Sequence, residues 1–147
     1  MANARISSLD NEFYSHLLRE SDDSLRRLAL VASRFAVEKT DLQYPAILNA
    51  LKAMTDDKPL SPSEVAEMGK LVAALDAFHI GTDIRDRDKH GKTDTLSAKA
   101  AMFQAHAASA VFMAANSDAL FAAMEAIYEA YLATGDWAAL KAILIKK

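Results

Sequence analysis

Residues 61–78 read SPSEVAEMGKLVAALDAF, and this stretch decides the fold class. Ser61 is suited to accept from the open N–H groups of a first turn. Pro62 fits the first helical position, where its missing N–H costs little, and Glu64 can reach back to close a capping box. Val65, Met68, Leu71, Val72, Leu75 and Phe78 then recur at helical spacing and form one apolar stripe. A start signal and a stripe in register predict an amphipathic helix that needs other helices to cover it.

The same logic extends in both directions. Leu9, Phe13, His16, Leu17 and Glu20 predict a first helix over about Ser8 to Arg19. A second, capped within Asp22 to Ser24, runs to about Val37 on Leu25, Leu28, Val31, Ala32 and Phe35. A break at Glu38 to Asp41 precedes a helix over Leu42 to Met54, with Pro45 in its first turn. Thr55 to Pro59 reads as a polar linker. Downstream, a long helix is expected from Asp94 or Thr95 to Ala115, and another from a cap at Asn116 to Asp118 as far as Thr134. Gly135 and Asp136 turn the chain into a short last helix ending at Ile145. The run YEAYLATGDWAAL (128–140) resembles the turn inside a tetratricopeptide unit, but no second copy follows at the repeat period. It reads as one antiparallel helix pair with Trp137 behind the bend.

Composition agrees. The chain has 147 residues, 52% of them hydrophobic, with only 3 Pro and 4 Gly. Abundant alanine and few β-branched residues favour helix. The expectation is an all-α, antiparallel helical bundle forming a single domain over residues 1–147. Seventeen basic against 20 acidic residues give a net charge of -3, which provides no broad positive field for nucleic acid. There are no cysteines, so disulfides and thiol catalysis are excluded. The opening MANARISSLDNEF carries charge before any apolar run and does not look like a signal peptide. The most apolar window, Leu96 to Ala115, contains Lys99, Gln104 and His106, so no integral membrane segment is expected and a cytoplasmic location is the default.

The stretch that follows the deciding helix, HIGTDIRDRDKHGKT (79–93), concentrates the polar chemistry. If the helix continues through it, His79, Asp83, Asp86 and His90 fall at i, i+4, i+7 and i+11, near one face, where a divalent metal could bind. Asp83 and Asp86 alone suit Mg2+ whose shell diphosphate completes. Arg85, Arg87 and Lys89 interleave with the acids, so a solvated, salt-bridged helix end explains the pattern as well. Asp86, Asp88, His90, Gly91 and Asp94 outline a calcium loop, but Ser97 stands where the bidentate glutamate is required, and that reading is rejected. His106 lies four residues after Met102, an arrangement that a haem in a helical bundle would need. A packed or hydrogen-bonded histidine explains it more simply, and His16 reads the same way. Arg26 and Arg27 could meet phosphate, though surface charges explain them more simply.

The run from Leu75 to Phe112, LDAFHIGTDIRDRDKHGKTDTLSAKAAMFQAHAASAVF, resembles all-trans polyprenyl diphosphate synthases around their first aspartate-rich motif. In that family a helix ends in Asp-Asp-x-x-Asp, a polar loop with Arg-Arg-Gly follows, and then a helix rich in small residues. Thr82, Asp83 and Asp86 fall on the three aspartates, and Lys89, His90 and Gly91 on Arg-Arg-Gly; Thr93 stands where proline is usual. Thr82 removes a principal carboxylate, and Lys89 with His90 weakens bidentate diphosphate recognition. No second Asp-Asp-x-x-Asp appears. The pattern is similar to the small noncatalytic subunit of a heteromeric synthase, built like the front half of the isoprenoid synthase fold. The resemblance implies an accessory subunit, without catalysis or cofactor of its own. It would pair with a larger catalytic prenyl diphosphate synthase subunit, complete a site that uses Mg2+, and help set product chain length. Phe103, Val111, Phe112 and Met113 are the interface or tunnel-floor candidates that follow from it. Two other classes remain open: a helical interaction module such as an immunity protein or adaptor, and a small metal-dependent enzyme using His79, Asp83, Asp86 and His90.

Overall fold

A computed structural model describes the backbone of residues 5–90 and 96–145 and the side chains of residues 5–77 and 99–145. Among the described residues every regular element is a helix. These are α1 (Arg5–Leu9), α2 (Asn11–Leu17), α3 (Asp22–Thr40), α4 (Pro45–Thr55), α5 (Pro62–His90), α6 (Leu96–Ala114), α7 (Ala119–Thr134) and α8 (Trp137–Ile145). The chain is an all-α, multi-helix bundle.

The deciding stretch forms the capping box that its residues call for. Glu64 N–H donates to Ser61 Oγ at 3.1 Å, and Ser61 N–H donates to Glu64 Oε1 at 2.8 Å. Such a cap contributes about 1 kcal/mol. Met68 and Leu75 are buried against α6, while Val65, Leu71 and Val72 are partly covered.

The centre of the bundle is α7, packed broadly on α3 and on α6, with α5 on the other side of α6. Small residues make this contact. Ala32 and Ala36 of α3, Ala107 and Ala110 of α6, and Ala126 and Ala130 of α7 are all fully enclosed. With one methyl per contact the backbones lie close, and Ser33 Oγ of α3 sits 2.8 Å from Ala29 O and 3.1 Å from Ala110 O of α6. The hydroxyl proton has an acceptor in either direction, which satisfies a buried polar group. Large residues fill the gaps: Ile6, Leu17, Leu42, Ile47, Ile127 and Leu140 are essentially inaccessible.

Several boundaries differ from expectation, each for a local reason. The first helix is two helices, because Asp10 leaves the helical conformation (φ -158°) and its carboxylate accepts from Phe13 N–H at 2.9 Å, starting α2. Ser21, ahead of the expected cap, accepts from Ser24 N–H and starts α3. That helix runs on to Thr40 and is stopped by Asp41 in the left-handed region (φ 54°). Leu42 N–H closes on Val37 O and Asp41 N–H on Glu38 O, a Schellman ending in which buried Leu42 packs over buried Val37. Leu42 therefore ends one helix, and α4 begins at Pro45. The expected cap at Asp118 is present, accepting from Phe121 N–H at 3.0 Å, and at the Gly135–Asp136 turn the Asp136 carboxylate accepts from Ala139 N–H at 3.0 Å to start α8. Gly135 takes φ 68° at the end of α7, and Trp137 packs edge-on to Phe13 at 5.2 Å. No described helix is long and apolar enough to cross a membrane.

Candidate functional site

Helix α5 is continuous for 29 residues, about 43 Å, and its backbone stays helical through His90. The condition set by the sequence is met. His79, Asp83, Asp86 and His90 occupy one helix at offsets that fall within an arc of roughly 60°. The side chains of these four residues and of Lys89 lie outside the described residues. Helical backbone at Asp86, Asp88 and His90 leaves no calcium-binding loop at those positions. Asp83 and Asp86 stand one helical turn apart, and Thr82 adds no third carboxylate beside them.

The interface and tunnel candidates of α6 go to different places. Val111 is fully enclosed in the chain's own core. Phe112 lies across α5, its ring 3.5 Å from where a Cβ on Gly69 would stand. Met113 is partly buried against the core. Phe103 lines an open groove of about 380 Å³ where the C-terminal ends of α3 and α7 meet the first half of α6. Phe35, Lys39, Gln104 and Asp136 share this groove. Lys39 Nζ stands 5.6 Å above the Phe35 ring, and Gln104 donates to Thr40 O at 3.4 Å.

One polar cluster had no signal in the sequence. Arg5 donates to Glu125 at 2.8 Å and to Glu129 at 3.3 Å, and its guanidinium lies 4.4 Å from the Tyr128 ring centroid. Glu129, buried on α7, also meets His106 Nδ1 at 3.2 Å. His106 is thus a half-buried, hydrogen-bonded histidine. Burial works against the Arg5 charge, but the two glutamates outweigh it and hold the group above its ordinary value. The cluster clamps α1 to α7. Among the described residues no group of three or more His, Asp or Glu could hold a metal.

Two smaller expectations are corrected. His16 is exposed on α2 rather than packed. Arg26 is not a free surface charge, because its guanidinium donates to the carbonyls of Ala114, Asn116 and Ser117 and closes the C-terminal end of α6. Arg27 stays at the surface, 3.4 Å from Ser24 Oγ.

No family model, curated protein or solved structure matches this chain.

Proposed function

We propose that this chain is a noncatalytic helical subunit that pairs with a larger prenyl diphosphate synthase subunit and helps set its product length. One observation carries the reading. Helix α5 runs unbroken to His90, so Asp83 and Asp86 sit one turn apart near its end, and the small-residue helix α6 starts at Leu96. That is the order of elements that surrounds the first aspartate-rich motif in the family this segment resembles. Loss of the motif's first acid to Thr82 fits a subunit that borders a diphosphate site and leaves ionisation and Mg2+ binding to its partner. On this reading Phe103, at its groove on the first half of α6, is the side chain that would shape an apolar product.

Co-expression with the large synthase subunits of the source cell tests this. A stable complex whose product length shifts when Phe103 is changed supports the proposal, and prenyl diphosphate made by the chain alone contradicts it. Titration with Mg2+ and Zn2+ separates the enzyme alternative: tight binding by the isolated chain that Asp83→Ala removes would favour a metal site at His79, Asp83, Asp86 and His90.

A second reading, an interaction module with no isoprenoid role, is favoured by a different surface. Phe13, Leu17, Leu28, Leu144 and Ile145 line an apolar groove of about 370 Å³ between α2, α3 and α8, and Ile145 is 61% exposed. A co-purified partner that is not a synthase, lost on Ile145→Glu, would establish it.

A further inference from the structure

A groove of about 560 Å³ lies at the opposite end of α5 from Asp83 and Asp86. It opens where the starts of α3 and α7 meet the end of α6 and the α4–α5 link. Its floor is apolar: Leu30, Met54, Leu60 and Val65 are each half-buried. Its rim is acidic: Asp22, Asp23 and Asp57 are exposed and have no hydrogen-bonded or ionic partner among the described side chains.

The backbone beneath the rim is held by local hydrogen bonds. Asp22 and Asp23 stand on the first turn of α3, behind the Ser21 cap. Asp57 holds φ 55°, locked by Asp57 N–H to Met54 O at 3.2 Å and Lys58 N–H to Ala53 O at 2.8 Å. The start of α3 offsets part of the charge of its two aspartates. Arg26, which also lines the groove, does not neutralise the rim, because its guanidinium is engaged by the α6 carbonyls. Lys58 is the one unpaired cation among the described groove residues, against three unpaired carboxylates.

We propose that this groove is a docking site for a basic peptide segment of a partner protein, with one apolar side chain on the Leu30–Met54–Leu60–Val65 floor and flanking Lys or Arg on Asp22, Asp23 and Asp57. Charge complementarity selects this occupant. Nucleic acid and anionic lipid surfaces are repelled by the same rim. The site is separate from the subunit reading and stands whether or not that reading holds.

The test uses the isotope-labelled full chain and two synthetic peptides sharing one central leucine, flanked by lysine and arginine in one and by glutamate in the other. The basic peptide should shift the amides of Asp57, Leu60, Ala115 and Asn116, and its affinity should fall as salt rises. Asp22→Asn, Asp23→Asn and Asp57→Asn combined should weaken it about tenfold, with asparagine keeping the left-handed residue at 57 tolerable. Lys58→Glu should tighten it severalfold, a gain that misfolding cannot imitate. No amide shifts with the basic peptide, shifts confined to another face, or equal binding of the acidic peptide would each overturn the proposal.

Discussion

Asp10 accepts three hydrogen bonds that tie the two ends of the chain together: Phe13 N–H at 2.9 Å, Trp137 Nε1 at 3.1 Å and Lys141 Nζ at 2.9 Å. Lys141 first, then the Phe13 amide and the Trp137 indole, hold its carboxyl down to about 2, from an ordinary 3.8. A carboxyl whose folded value is depressed stabilises the fold above its unfolded value, and that contribution is lost as pH falls through the folded one. The Asp10 contribution is therefore complete above about pH 4 and fades toward about pH 2. Asp10→Asn keeps an acceptor for Phe13 but loses the charge facing Lys141, so urea melts should show lower stability at pH 7 and a flatter decline between those two values. Asp10→Ala should cost about 2 kcal/mol, from the lost cap and an indole N–H left without its partner. An Asn variant with an unchanged acid profile would show that the Lys141 contact contributes nothing. None of this was legible locally, because Leu9, Phe13 and Leu17 keep helical spacing straight through Asp10. Only Trp137 and Lys141, more than a hundred residues away along the chain, make the break favourable.

At the scale of the element, α5 and α7 respond in opposite ways to added side-chain volume. Gly69 is interior to α5, and a Cβ there would meet Phe112 at 3.5 Å, ordinary van der Waals contact. Gly69→Ala should stabilise by about 1 kcal/mol through helix propensity and raise the melting temperature by about 2–4 °C. On α7, Ala126 is fully enclosed where that helix meets its neighbours. Ala126→Leu should cost about 1–3 kcal/mol or more, since close-packed backbones must separate to admit it. A thermal melt of each variant checks both signs, and a destabilised Gly69→Ala would mean that Phe112 cannot yield. The elements themselves were legible. Ser61, Pro62 and Glu64 announce α5, and Pro45, Asp118 and Gly135 announce other ends, because caps and turns are chemistry between near neighbours. The Arg5 clamp on Glu125 and Glu129 was not legible, because i,i+4 glutamates on a helix look like ordinary solvated charges until α1 folds across them. For the same reason Val111 and Phe112 read as partner-facing residues: periodicity marks an apolar side chain as covered without saying by which chain.

At the scale of the whole molecule, the helices are unequally held. Helix α7 is enclosed by α3 and α6, whereas α5 packs chiefly on α6 and, near its start, on α4. Helix α1 depends on buried Ile6 and on the exposed side of the Arg5 clamp. Protection against hydrogen exchange should follow that order. The amides of α3, α6 and α7 should exchange only through global unfolding, those of α5 through a smaller opening that leaves the three-helix centre intact, and those of α1 fastest of all. Arg5→Ala should accelerate α1 without changing α3. This ordering bears on function, because a helix held mainly along one side has surface left for another chain. If the subunit proposal holds, adding the large synthase subunit should raise protection along α5 and the start of α6 and leave α3 unchanged. Protection gained instead at α2 and α8 would place the partner on the Ile145 groove and favour the interaction module. Uniform exchange across all helices in the isolated chain would mean that the bundle opens as one unit, and α5 would lose its claim to be the responsive element.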